Sequence, residues 1–231
     1  MMFYRRKIIL ALLQTFDGSL GKTQLQKLLL LFAQRQEKQA YHFVPYRYGC
    51  YSFQAAADIS TMQKYGQVEV SNRGIKKKDP VDYIDQLNEK DRSALKQLHL
   101  QQHANKSYSD LISYTYKHYP YYAIHSAIAE RYLNAEELKK LSDCKPNASK
   151  IILYTIGYEG ISLEQYLNKL IGKDVRALVD VRNNPMSMKY GFTKGQLLNA
   201  CNTVGIQYLH FPEVGIVSEQ RQALSSQADY D

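Results

Sequence analysis

The sequence contains little cysteine and no long apolar run. Its 3 cysteines include no Cys-x-x-Cys pair, so we expect reduced thiols, as in a cytoplasmic protein. No apolar stretch reaches the roughly 20 residues that a transmembrane helix requires, which argues against a membrane partner. The start, Met1–Leu13, has an apolar core too short for a signal peptide, and no small-residue cleavage site follows it.

The positive charge of the chain lies entirely in its first part. The net charge of the 231 residues is +8. Residues 1–149 carry 22 lysines and arginines against 14 aspartates and glutamates, whereas residues 150–231 carry 8 of each kind. This asymmetry favours nucleic acid as the partner of the first part. An ordinary solvated surface is the alternative.

Length and pattern predict two domains, at 1–145 and 150–231, joined by a linker around Cys144–Ser149. Apolar periodicity in the first domain predicts helices over 3–14, from Thr23 onward and over 53–65. An alternating strand, a glycine turn and a return strand follow within 67–78. Three helices and a β-hairpin in this order are typical of a winged helix.

The predicted hairpin and its neighbourhood carry the candidate nucleic-acid contacts. Lysines and arginines on a wing suit phosphate contacts, and the helix from Thr23 is expected to offer polar side chains, including Lys27, to a groove. A solvated charge run beside a protein-binding domain is the rival interpretation. The candidate residues are Lys22, Lys27, Arg47, Arg73, Lys76, Lys77 and Lys78.

The string Pro-Tyr-Arg-Tyr-Gly-Cys-Tyr-Ser at 45–52 is the most specific motif of the first domain. With the neighbouring helix and strand pattern, it resembles a winged-helix module of prokaryotic antitoxin-like and regulatory proteins. That resemblance covers residues 5 to about 130 and implies binding to DNA or to a protein partner.

The second domain alternates strands with helices. Strands are predicted over 151–156, 175–181 and 205–212, with helices from Ser162 and over 193–203. Such alternation makes a parallel sheet. We therefore expect an α+β winged-helix-like domain followed by a three-layer α/β domain with a partial parallel sheet.

Polar residues follow the predicted strands at one sheet edge, where open α/β sheets bind ligands. Asp180 and Arg182 leave the same face of a buried strand, as either a ligand site or a structural ion pair. Arg182 could hold an anion through its planar fork, and His210 is the candidate proton carrier. The other candidate ligand-binding residues are Gly157, Tyr158, Glu159 and Glu213. No metal-ligand spacing is present, and no cofactor is indicated.

Several motifs of the second domain resemble the domain of unknown function 488 (DUF488) family. They are Thr-Ile-Gly-Tyr-Glu-Gly, Leu-Val-Asp-Val-Arg-Asn-Asn-Pro at 178–185, and the segment with His-Phe-Pro-Glu-Val-Gly at 210–215. The resemblance implies an α/β domain that handles nucleic acids or nucleotides. Gly215 is followed by Ile216 where members often have a second glycine, and the usual cysteine-rich continuation is missing. We therefore expect a truncated domain that stops in mid-helix.

These patterns favour a nucleic-acid-associated protein with a regulatory or defence role. Its basic domain would dock on DNA, and its second domain would sense or process a nucleotide-like or phosphate-bearing ligand. The sequence does not decide whether the protein is an enzyme. The alternative is a non-enzymatic protein–protein interaction module in which Asp180 and Arg182 form a structural pair.

Overall fold

The computed structural model describes residues 2–104 and 107–215, without the side chains of residues 102–104. The chain divides into two compact units, Met1–Pro146 and Asn147–Asp231. The fold is mixed, with helices and small sheets in which one strand pair is parallel. In the described part, no helix has the length and apolar character needed to cross a bilayer.

The first unit combines helices with two small antiparallel sheets. One sheet has the strand order β1-β5-β4, and the other is the β2–β3 hairpin. Short 3-10 turns at Pro120–Ala123 and Ala129–Arg131 precede its last helix. The helices and strands are α1 (Tyr4–Thr15), β1 (Ser19–Leu20), α2 (Lys22–Ala33), β2 (Val44–Tyr46), β3 (Gly49–Tyr51), α3 (Phe53–Lys64), β4 (Val68–Ser71), β5 (Gly74–Lys77), α4 (Glu89–Ala104), α5 (Tyr108–His118) and α6 (Ala135–Asp143).

Helix α2 forms the centre of the first unit. Every residue from Leu25 to Ala33 is buried, because α1, α4, α5 and β3 all pack against this helix. The expectation that Lys27 lies on a solvent-exposed face is therefore wrong, since its exposure is 0%. Because four elements surround this part of α2, none of its faces is exposed to solvent. A stripe of apolar residues in the sequence does not show how many neighbours surround a helix.

Strand β5, the second strand of the β4–β5 hairpin, places the hairpin next to the start of α2. It pairs with β1, where Ile75 lies opposite Leu20, and with β4 on its other side. Gly74 has φ +141°, and a Cβ there would lie 2.4 Å from the backbone oxygen of Leu20. Only glycine fits this position. The close approach brings the tip of the hairpin beside Gly21, the residue that precedes α2.

The second unit contains a parallel pair of strands and two helices. Strands β6 and β7 are parallel, with Asp180 opposite His210. One helix lies between them in the sequence, as a parallel connection requires. The elements are α7 (Leu163–Gly172), β6 (Ala177–Asp180), α8 (Lys194–Thr203), β7 (Gln207–His210) and a 3-10 turn at Pro212–Val214.

The strand predicted at 151–156 does not form. This segment has no regular secondary structure, and Ile151 and Leu153 are 106% and 94% exposed. A β-branched run becomes a strand only when its backbone finds a ladder partner, and among the described residues β6 pairs with β7 alone. The three-layer arrangement stays a prediction. The predicted mid-helix ending falls within 216–231, outside the described residues.

Candidate functional site

Asp180 and Arg182 form a two-pronged ion pair at the end of β6. The Nε and Nη2 atoms of Arg182 donate to Oδ1 and Oδ2 of Asp180 at 2.8 and 2.6 Å. The backbone N–H of Arg182 also donates to Oδ1, at 3.1 Å. The pairing arises because the strand stops at Asp180 and the chain turns, so that a side chain two residues later folds back onto the carboxylate.

The Arg182 guanidinium makes two further contacts besides those to Asp180. Its Nη1 donates to the backbone oxygen of Phe192 at 2.8 Å, and its Cζ lies 5.3 Å from the centre of the Tyr158 ring. The side chains of Arg182 and Asp180 are only 16% and 4% exposed. The planar fork of Arg182 therefore binds groups of its own unit, and it ties the loop that ends at Phe192 to the sheet.

Asp180 also accepts a hydrogen bond from the Tyr208 hydroxyl, at 2.6 Å. Burial alone would raise the pKa of Asp180, but the hydrogen bonds from Arg182 and Tyr208 outweigh it and lower the pKa to about 2. Burial, together with the bond to this carboxylate, raises the pKa of Tyr208. Asp180 is thus a fixed acceptor at neutral pH and does not carry protons there.

His210 is engaged at both ring nitrogens. Its Nε2 lies 2.9 Å from the backbone oxygen of Arg182, and its Nδ1 lies 2.9 Å from Nζ of Lys194. A carbonyl oxygen only accepts, so Nε2 must carry a proton, and Nδ1 accepts from the Lys194 ammonium. These partners assign the neutral Nε2–H tautomer to His210.

An aromatic stack closes the other side of the ion pair. Tyr158 stacks on Phe192 with ring centroids 4.5 Å apart and an interplanar angle of 18°. Phe192 is fully buried. Lys189 donates from Nζ to the backbone oxygen of Tyr158 at 2.6 Å, so the loop is fastened to the segment around Tyr158 at two points.

The structure brings together four of the predicted site residues, Tyr158, Asp180, Arg182 and His210. The others lie on exposed backbone. Gly157 and Glu159 flank Tyr158, and Glu213 lies on the 3-10 turn after β7; all three are exposed.

A capping box closes the start of α7. The Ser162 side chain accepts from the backbone N–H of Gln165, and the Gln165 side chain accepts from the backbone N–H of Ser162. These bonds occupy N–H groups that a phosphate would otherwise use. The segment Gly157–Gly160, which precedes this helix start, is therefore less suited to bind an anion.

The sequence analysis did not identify three residues that contact this site: Lys189, Lys194 and Tyr208. Tyr208 precedes His210 by two residues on β7 and so shares its face, which is a usable signal. Lys194 occupies the first position of α8, where a cation opposes the helix dipole. This unfavourable placement is a second sequence feature by which a residue of the site could have been identified.

The candidate nucleic-acid residues of the first unit divide by exposure. Those on the surface are Lys22, Arg47, Arg73, Lys76 and Lys78. Lys76 lies opposite Ser19 in the β1–β5 pairing, and Arg73 precedes Gly74, which touches Gly21. The hairpin tip therefore lies beside the residue that precedes α2, and we call the three exposed residues Lys22, Arg73 and Lys76 the basic surface.

Two hairpin lysines are less available than the sequence indicates. Lys77 is half-buried, and its Nζ donates to the backbone oxygens of Asp79 and Val81 at 2.5 and 2.7 Å. Lys78 pairs with Glu69 at 3.4 Å, although both side chains are more than half exposed. In the described ranges, no three His, Cys, Asp or Glu side chains are grouped so as to hold a metal ion.

One family model matches the carboxyl-terminal part of the chain. Residues 162–231 match the model of the family described as Domain of unknown function DUF488. This match confirms the resemblance of that part, including the segment with Asp180, Arg182 and His210. No curated protein and no solved structure matches the chain.

Proposed function

We propose that the protein binds nucleic acid through a winged-helix-like amino-terminal unit, in a regulatory or defence role. The second unit would recognise a nucleotide-like or phosphate-bearing ligand. The observation that carries the proposal is the order of elements in the first unit. A helix, a short strand and two helices separated by the β2–β3 hairpin precede a second hairpin, whose second strand lies centrally in the order β1-β5-β4.

The basic surface formed by Lys22, Arg73 and Lys76 supports phosphate contacts. All three side chains are exposed, and none takes part in an ion pair among the described residues. Lysine and arginine side chains without carboxylate partners can neutralise backbone phosphates and release counterions.

Helix α3 is the better candidate for a groove than α2. The length of α2 from Leu25 to Ala33 is buried, whereas Ser60, Gln63 and Lys64 are exposed near the end of α3. Polar side chains on one exposed helix, beside a basic hairpin, correspond to the arrangement in which a helix reads bases and a wing contacts phosphates.

A non-enzymatic interaction protein is the second candidate. The observation that favours it is the enclosed Asp180–Arg182 pair, whose hydrogen bonds are made within the unit. In that case the pair is structural, and the first unit docks on a protein partner.

Fluorescence anisotropy with a labelled random duplex tests the proposal. With three to five phosphates neutralised, affinity should fall about 40- to 500-fold between 50 and 200 mM salt. A single-stranded probe of equal length serves as the comparison. Absence of salt-dependent binding to either probe would favour the protein-partner function.

A further inference from the structure

Arg182 is not the cation that receives an anion in the second unit. Its fork is committed to Asp180 and to the backbone of Phe192. Two other cations, Lys189 and Lys194, belong to no ion pair among the described residues. Each donates instead to a neutral acceptor, which leaves its charge uncompensated.

Lys194 differs from Lys189 in the group that it contacts. Its Nζ lies 2.9 Å from His210 Nδ1, and this contact exists only while the imidazole is neutral. Protonation of Nδ1 would place two positive charges side by side. An anion that accepts from both groups removes this conflict, because opposite charges favour the charged form of each.

Three other charged residues lie near His210 in the pairing of the strands or in the sequence: Asp180, Arg182 and Glu213. Asp180, opposite His210 across the strand pair, is neutralised by Arg182. Arg182 itself presents its backbone oxygen to Nε2 of His210. Glu213 follows on the exposed turn.

We infer that Lys194 and His210 form a binding site for a phosphate dianion, and that binding brings a proton onto His210. The inference rests on the proposed ligand function of the second unit. The Lys194 ammonium leaves Nδ1 and donates to one phosphate oxygen. Nδ1 then takes a proton from solvent and donates to a second oxygen, while Nε2–H stays on the Arg182 carbonyl.

The pH dependence of sulfate binding distinguishes the proposed site from a generic basic patch. Sulfate remains a dianion across the range in which histidines titrate, so any change in its affinity reports on the protein. Its affinity should fall as pH rises from 6 to 8 in the wild type. In His210→Gln, which cannot take up a proton, the affinity should not depend on pH over this range.

Isothermal titration calorimetry of the full chain tests the inference. A nucleoside 5′-monophosphate is titrated at pH 8, where a phosphate monoester is already a dianion because its second pKa is about 6. Buffers of different ionisation enthalpy then report proton uptake by the protein. Inorganic phosphate and the unphosphorylated nucleoside are run in parallel, to separate a nucleotide site from a site for free phosphate.

We expect binding with proton uptake in the wild type, and about tenfold or greater weakening in Lys194→Met, because a charge-assisted hydrogen bond is lost. Lys169→Met, which removes an exposed lysine of α7, should bind as the wild type does. The His210 ring resonances should shift on binding.

Three outcomes would overturn the inference. They are binding without proton uptake, equal affinity in Lys194→Met, and equal binding of the unphosphorylated nucleoside. If the monophosphate binds but Lys194→Met is unaffected, the inference fails while the ligand function of the second unit stands. If no phosphate compound binds, both fail, and DNA binding by the first unit is judged separately.

Discussion

Arg182 and Asp180 are joined by two side-chain hydrogen bonds, of 2.8 and 2.6 Å, and both side chains are largely removed from solvent. The third bond of the guanidinium, to the backbone oxygen of Phe192, extends the pair into the loop that follows β6. The pair thus connects β6 to the loop that carries Lys189. We therefore expect it to stabilise the second unit.

Replacing Arg182 with alanine should destabilise the second unit by about 3–5 kcal/mol, because Asp180 would be left buried without its partner. Urea unfolding followed through the Val179 amide resonance measures the change. Adding Asp180→Asn should restore part of the loss, since the unpaired charge is then removed while an acceptor for Tyr208 remains.

Arg176→Ala is the matched control for this variant. Arg176 also pairs with an aspartate two residues away, Asp174, but its side chain is 79% exposed. Its loss should change stability by less than about 1 kcal/mol. An Arg182→Ala variant that lost ligand binding with unchanged stability would instead identify Arg182 as a ligand-binding residue.

Acid should weaken the second unit through Asp180. Its folded pKa of about 2 lies below the ordinary value of 3.8 for an aspartate. The stabilisation is therefore complete above pH 4 and is lost as pH falls toward 2, a change of about 2 kcal/mol. The midpoint of urea unfolding, followed through the Val179 amide resonance, should shift more between pH 5 and pH 2.5 in the wild type than in Asp180→Asn. Equal differences would refute this assignment.

The hairpin was predictable from sequence because local pattern determines it, whereas the sequence left open whether Asp180 and Arg182 form a ligand site or an ion pair. Alternation and a glycine turn predict β4 and β5. The spacing of Asp180 and Arg182 predicts that they lie close together, but β6 ends at Asp180 and Arg182 reaches the carboxylate from the turn that follows. The exposure of Lys27 and the pairing of 151–156 depend on how many neighbours surround an element. That information is non-local, so α2 looked amphipathic and 151–156 looked like a buried strand.

Burial of Lys27 has a chemical consequence. Its Nζ donates to the backbone oxygen of Tyr48 at 2.7 Å and lies 4.8 Å from the Tyr116 ring centre. Burial lowers the pKa of Lys27, with Cys50 opposing that effect. Brief acylation of the native protein, read by mass spectrometry, should modify Lys22 and Lys76 but spare Lys27. Equal modification of Lys27 in the folded protein would contradict its placement.

Neighbouring hairpin lysines should respond differently to substitution. Lys77 holds the segment after β5 through the backbone oxygens of Asp79 and Val81, and its Nζ lies 5.5 Å from the centre of the Tyr83 ring. Lys77→Ala should lower the stability of the first unit by about 1–3 kcal/mol. Lys76→Ala should leave stability nearly unchanged. The reverse order in thermal melts would show that the hairpin contacts are misassigned.

The salt dependence of duplex binding tests the proposed nucleic-acid function most directly. Log affinity is measured against log salt for the wild type and for Arg73→Ala/Lys76→Ala. The control is Lys96→Ala/Lys139→Ala, which removes the same charge from exposed positions on α4 and α6. The account predicts weaker binding and a slope flatter by up to about 1.8 in the hairpin variant, with the control close to the wild type. Equal slopes in the two variants, or a wild type without salt-dependent affinity, would contradict it.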